Sequence, residues 1–264
     1  MKYFFLFLCL FFDTNIFAQK DMPPNVIEIY PTTDSIPVNI LRFYIQFSQP
    51  MQEMNILKHV RLTNQDGKNI TGVFYENQYE LWNQNRTKVT LVIDPGRVKT
   101  GLLANNTMGR AFDNGQYYTL NVDSLLLDFN DRNLARSHTK TFVAVGEDII
   151  APNQKTWSVS APKPMSKQAL HISFDDKIDH ISAKTFIKVL HKNNEVTGDI
   201  ELRNGEQEWY FYPKKEWKKG DYQILIHPAL EDICANSLNQ IFDHQIEGFK
   251  QNSKEISILK FTIH

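Results

Sequence analysis

The segment Asp94-Pro95-Gly96-Arg97 has the most particular combination of residue types in this 264-residue chain. Proline at the second turn position and glycine at the third suit a type II turn, and Asp94 can accept hydrogen bonds from the backbone N–H groups that follow. That leaves Arg97 to be explained. With Lys99, and with Arg86 and Arg110 nearby, it could present a cationic loop to a carboxylate or a phosphate, because a guanidinium binds either in bidentate fashion. A structural role would instead pair Arg97 with Glu80 or Asp94. Arg97, Lys99, Glu80 and Asp94 are therefore the candidate binding residues.

A second group is Asp128, Asn130, Asp131 and Asn133, echoed later by Glu231, Asp232 and Asn236. Oxygen ligands at alternate positions are what calcium needs, but the glycine and terminal glutamate of the twelve-residue calcium loop are missing. Asx-rich turns between strands have the same composition. No cofactor is required by the sequence, and calcium on these four residues is the one ion it admits. Asp175, Asp176 and Asp179 share one polar turn, where paired carboxylates could do acid and base work. Nothing apolar beside them in the sequence would raise a pKa, so a solvated turn is expected.

Other chemistry lacks a pattern. The eight histidines show no zinc spacing, and no nucleophile elbow, phosphate loop or dinucleotide fingerprint occurs. No catalytic residue is assigned. In Trp209-Tyr210-Phe211-Tyr212 a strand would place Trp209 and Phe211 on one side and the two tyrosines on the other, which reads as a core face and a cross-strand face. Tyr118 and Tyr222 look like strand-start tyrosines whose hydroxyls tie a corner to the backbone.

The elements that must position these residues are strands. Leu41, Phe43, Ile45 and Phe47 alternate with polar or tyrosine positions, and so do Val89, Leu91 and Ile93; Tyr118, Leu120 and Val122; Leu170, Ile172 and Phe174; and Leu259, Phe261 and Ile263. Turn signals such as Asp66-Gly67, Asn114-Gly115 and Asn204-Gly205 separate them. Single helical turns fit only around Gln52 to Lys58 and Ser182 to Thr185. Many short strands without a long amphipathic helix predict an all-β sandwich.

Composition agrees: the chain is 42% hydrophobic and 22% charged, and Lys plus Arg at 29 against Asp plus Glu at 30 gives a net charge of −1. This excludes whole-chain disorder and leaves no electrostatic footprint for nucleic acid. Residues 1–18, with Lys2, an apolar run from Tyr3 to Phe12 and a small residue at Ala18, read as a secretory signal peptide, and no later stretch approaches a membrane span. Leu8 is too bulky before Cys9 for lipid processing of that cysteine. Cleavage would leave Cys234 alone, where a small buried hydrophobe is expected rather than a reactive thiol.

The chain also repeats itself. Phe43 to Met51 aligns with His171 to Asp179, His59 to Thr63 with Phe186 to Leu190, and Thr90 to Pro95 with Trp209 to Pro213. Tyr118 to Asp128 and Tyr222 to Asp232 have equal spacing. The repeat predicts two similar domains, 24–146 and 154–264, joined near Gly146 to Asn153.

The residues Pro37-Val38-Asn39-Ile40-Leu41, Phe47-Ser48-Gln49-Pro50-Met51 and Asp66-Gly67-Lys68, with the Gly-x-Tyr and Asp-to-Asn endings, resemble the bacterial immunoglobulin-like domains named after S-layer proteins of the SbsA type. The second half has Asp175-Asp176-Lys177 where the Ser-x-Pro-Met pattern would fall. Glu80-Leu81-Trp82 and Asp94 to Leu102 also resemble a family of uncharacterised secreted bacterial proteins with two such domains. Neither resemblance brings catalytic residues. Together they imply two tandem immunoglobulin-like β-sandwiches after a cleaved signal peptide, secreted, periplasmic or on the cell surface. The expected role is a non-enzymatic interaction or spacer module at the cell envelope, with an envelope protein or glycan as partner, no nucleic acid and no transmembrane segment. Two alternatives remain: a carbohydrate or polyanion binding module using the Arg97/Lys99 loop and exposed aromatics, and an enzyme with a site between the domains.

Overall fold

The computed structural model describes residues 22–53, 55–243 and 255–264. The signal-peptide segment and Cys9 lie outside the described residues. The first domain pairs strands β1 (Val26–Tyr30), β3 (Arg42–Phe47), β7 (Lys88–Val92) and β6 (Leu81–Trp82) in one sheet, in that order. Its second sheet runs β2 (Ser35–Pro37), β9 (His138–Val145), β8 (Tyr117–Val122), β4 (Val60–Asn64) and β5 (Asn69–Ile70). The pairs are antiparallel except β2 with β9, which is parallel.

The second domain has sheets β10 (Ser158–Ser160), β11 (Leu170–Ser173), β15 (Glu208–Pro213), β14 (Gly198–Arg203) and β13 (Asn194–Glu195), β12 (Ile187–His191), β16 (Gly220–Ile226), β17 (Ser257–Ile263). Each domain encloses its own apolar cluster, built in the first around Phe43, Ile45, Leu91 and Phe142 and in the second around Ile172, Trp209, Phe211 and Ile224. The chain is thus an all-β pair of immunoglobulin-like sandwiches, and period-two alternation is the cause: every second side chain enters the gap between two sheets.

Short helices occupy the corners: α1 (Pro95–Val98), α2 (Leu103–Met108) and α3 (His180–Phe186), with one 3-10 turn at Ile56–Lys58. The type II turn expected at Asp94 to Arg97 is instead the first turn of α1, with Asp94 as its N-cap and Pro95 in its first turn. Gly96 does not have the positive φ that a type II turn requires. The corner tyrosines are as expected: the Tyr118 hydroxyl accepts from Asp113 N–H at 2.9 Å, and that of Tyr222 donates to the Lys218 carbonyl at 3.0 Å.

The internal repeat is present with one register corrected. Phe43, Ile45, Phe47 and Met51 are buried in the first domain, and Leu170, Ile172, Phe174 and Ile178 in the second. Met51 bridges Asp128 and Ile178 bridges Asp232. Phe43 therefore corresponds to Leu170 rather than His171, since a slip of one residue turns every side chain to the wrong face. By the same pairing, Val89 matches Trp209 and Ile93 matches Pro213, so the two strand-closing prolines are not equivalent.

Candidate functional site

Arg97 is only 7% exposed, and its guanidinium is spent inside the first domain. Nε donates to the Gly109 carbonyl at 3.1 Å, Nη1 to Gly72 at 3.2 Å and Nη2 to Arg110 at 2.7 Å, with longer contacts to Thr71 and Met108. It pins the end of α2 and the Thr71-Gly72 turn to α1 through carbonyls that have no strand partner. Neither suggested acidic partner is used. Asp94 caps α1 through Gly96 N–H at 2.8 Å, while Glu80 accepts from Ile56 N–H and, at 2.7 Å, from the Trp82 indole.

The remaining basic residues disperse instead of forming a cationic loop. Lys99 Nζ lies 4.3 Å from the Phe242 ring, Arg110 pairs with Glu147 at 2.6 Å, and Arg86 pairs with Glu53 at 3.3 Å. Glu80 lines a cleft of about 580 Å³ within the first domain, beside the exposed rings of Tyr75 and Tyr79. That cleft includes neither Asp94 nor Arg97 nor any residue of the second domain. The convergence that an interdomain enzyme site on Glu80, Asp94 and Arg97 would need is not formed.

The Asp128 and Asp232 loops are geometric twins. Each aspartate donates its N–H to the carbonyl four residues on, and each loop has a left-handed residue three positions later, Asp131 and Ala235. Their charges differ. Asp128 Oδ2 accepts from Arg132 Nε at 2.9 Å and Nη2 at 2.7 Å, and Oδ1 from the backbone of Asn130 and Arg132. Burial pushes the Asp128 carboxyl up, but the Arg132 guanidinium and these N–H donors outweigh it and hold it below the usual range. A calcium ion here would have to displace Arg132. Of the other suggested ligands, Asp131 is bound by Gln52 Nε2 at 2.7 Å and Asn130 is exposed, while Asn133 bridges Leu127 through its backbone.

In the second loop Asn236 takes the place of Arg132. Its backbone and side-chain nitrogens both donate to Asp232 at 2.9 Å, but it brings no positive charge. Two further carboxylates, Asp148 from the segment joining the domains and Asp176 from the loop after β11, approach so that ligand oxygens of all three lie within 4.8 Å of one another. Burial, then Asp148, raises the Asp176 carboxyl to about 6, and burial with Asp176 and Asp148 raises Asp232 well above the ordinary range. The cluster can share a proton or gather hard oxygen ligands about a divalent cation.

The expected solvated turn holds for exposed Asp175 but is corrected at Asp176 and Asp179. Asp179 is 4% exposed; it N-caps α3 through Ile181 and Ser182 N–H and accepts from the Tyr44 hydroxyl at 2.7 Å. The burial comes from the other domain, out of reach of any local reading.

Tyr44 lies on the outer face of the β1-β3-β7-β6 sheet, and that face is where the second domain docks. Tyr30 stacks on His180 with ring centroids 3.6 Å apart, Arg42 pairs with Glu231 at 2.8 Å, and Glu206 accepts from Thr32 N–H at 2.6 Å. Gly205, at φ +61°, permits the approach: a Cβ there would come 2.9 Å from the Thr33 Cβ. Farther along, Leu41 N–H donates to the Ile233 carbonyl at 3.3 Å, Asn39 and Asn236 both donate to the Asp148 carbonyl, and Ala235 enters the apolar cluster of the first domain. Cys234 is fully buried here, and burial with the Asp232 carboxylate pushes its thiol well up. The aromatic run behaves as expected, with Trp209 and Phe211 buried and Tyr210 and Tyr212 half-buried beside Arg203.

No protein-family model and no curated protein matches the chain. Similar solved structures include native alpha-2-macroglobulin from Escherichia coli spanning domains MG0-NIE-MG1, at 8% identity and TM-score 0.30 over 92% of this chain and 72% of that one. The S-layer protein rSbsC(31-844) is similar at 13% identity and TM-score 0.33, over 78% of this chain and 24% of that one. A three-domain titin fragment, I67-I69, is similar at 10% identity and TM-score 0.23, over 91% of this chain and 65% of that one. No helix among the described residues is long and apolar enough to cross a membrane.

Proposed function

We propose that the protein is a non-enzymatic, extracytoplasmic immunoglobulin-like module whose two domains are held at a fixed angle, serving a spacer or interaction role at the cell envelope, with an envelope protein or glycan as partner. One observation carries this reading: the domains meet through buried, specific polar contacts, Tyr44 to Asp179 foremost, rather than through a bare linker. Flexible tandem domains join through small polar interfaces with few crossing contacts. Here a face of one sheet, a helix of the other domain and the linker carbonyl of Asp148 are mutually bonded. A stiff joint suits a part that sets a distance or displays a surface.

Small-angle scattering and 15N relaxation on the chain lacking residues 1–18 test this reading. One correlation time for both domains is expected, with a scattering profile matching the docked arrangement. Two independent correlation times would overturn it.

A further inference from the structure

Around His180 the joint gathers basic groups that no described acidic group pairs with directly, Asp179 and Glu201 acting on Lys88 and Lys184 only at longer range. Lys184 follows His180 by four residues on α3, so the two share a face of that helix. Tyr30 stacks on His180 from the opposite domain, and Lys88 Nζ of β7 stands 5.8 Å from the centroid of the Tyr30 ring. His180 is 3% exposed, and neither of its ring nitrogens has a hydrogen-bond partner among the described residues.

The carboxylates facing this spot are already committed. Asp179 is bound to Tyr44 and the α3 N–H groups, Glu231 to Arg42, Glu201 to Arg203, Glu206 to Thr32, and Glu28 to the N–H of Ile29. Neither Lys88 nor Lys184 makes an ion pair with a described residue. Burial lowers both ammonium groups, Lys88 to about 8 with Lys184 contributing; burial with Lys184 and Lys88 brings His180 down to about 2, so its ring is neutral and keeps one N–H to donate.

A half-buried ammonium group, Lys88, and one on an exposed residue, Lys184, thus stand on opposite domains with an unpartnered N–H donor beside them. We propose that Lys88 and Lys184 together bind a doubly charged oxyanion of the phosphate or sulfate type across the domain joint, with His180 donating a hydrogen bond. The ion would replace mutual repulsion by two charge-assisted hydrogen bonds, one from each domain, and so favour the docked state. The inference rests on the domains being docked, which the scattering measurement tests separately without added anion.

The experiment compares thermal melts at pH 7 in sodium phosphate and in sodium chloride at matched ionic strength, with 13Cε NMR titration of the lysines. Phosphate is expected to raise the wild-type melting temperature by about 2–4 °C over chloride. It should also move the Lys88 titration up by about one pH unit. Lys88→Gln and Lys184→Gln should each lose the phosphate-specific increment, which a general salting effect would leave in place. Lys184→Glu supplies the missing carboxylate and should raise the melting temperature in chloride while abolishing the response. A glycerol phosphate arm separates sources: tighter binding than inorganic phosphate identifies a phosphate carried on a larger molecule, and equal binding identifies the free ion. No increment over chloride, or an undiminished one in both glutamine variants, would overturn the proposal.

Discussion

Arg97→Ala tests the structural reading of the most particular residue in the sequence. The guanidinium donates to three carbonyls within 3.2 Å and reaches two more at longer distance. A hydrogen bond from a charged donor contributes about 1.5–3 kcal/mol, but burying the guanidinium offsets part of that sum. Truncation leaves carbonyls of Gly72, Gly109 and Arg110 without this donor, so the net loss should be about 3–4 kcal/mol, within the range for removing one partner of a buried charged network. For a domain of about 120 residues that corresponds to a fall of about 10–15 °C in melting temperature. Arg97→Lys keeps the charge but loses the fork, and about half of that loss is expected. Calorimetry and urea titration of the full chain give the result, read on the transition of the first domain. A loss below about 1 kcal/mol for Arg97→Ala would refute the reasoning and return Arg97 to the ligand-binding candidates.

Asp176→Asn tests the carboxylate cluster. A folded-state value of about 6 against an ordinary 3.8 means that the stability linked to Asp176 is full below about pH 4 and is lost as pH rises through 6. After discounting for its partial exposure, the variant should be more stable than the wild type by about 1–2 kcal/mol at pH 7.5 and equal to it near pH 4; urea titrations at the two pH values measure this, and equal stabilities at pH 7.5 would contradict it. Arg132→Ala strands the buried Asp128 carboxylate and should cost about 3–5 kcal/mol by chemical denaturation, with a loss under 1 kcal/mol counting against the pairing. Tyr44→Phe removes the donor to Asp179 and should cost about 1–2 kcal/mol while loosening the joint in scattering; an unchanged stability and profile would remove that bond from the interface account. Cys234 should react with a disulfide reagent no faster than the native chain opens, whereas immediate labelling would place the thiol at the surface.

The sandwich architecture was legible because burial between two sheets writes itself into the sequence at period two. Phe43-Ile45-Phe47 and Leu170-Ile172-Phe174 both carry that signal. The packing of Tyr44 and Tyr30 was not. They are tyrosines on an outer face that the second domain covers, so their surroundings are set by docking rather than by the strand itself. The Asp94 segment misled in a related way. Asp-Pro-Gly satisfies a type II turn and a helix N-terminus equally well, and the buried Arg97 that decides between them acts through carbonyls at positions 72, 109 and 110.

The acidic cluster left a trace in the sequence that the repeat makes readable. Tyrosine-to-aspartate spacing equates Asp128 with Asp232, and therefore Arg132 with Asn236, a loss of one countercharge at a matched position. The structure gives the exchange a physical sense. Arg132 turns back onto Asp128 and closes its loop electrostatically, and it also donates to Gln49. Asn236 satisfies Asp232 with its backbone and one side-chain hydrogen, and its amide also donates to the Asp148 carbonyl at 3.1 Å, alongside Asn39 of the first domain at 2.6 Å. The second loop has given up its own neutralisation and gained a tie to the segment that joins the domains. The cost appears at Asp176 and Asp232, whose carboxyls are raised, and it falls at the joint because the countercharge and the interdomain bond compete for one side-chain position.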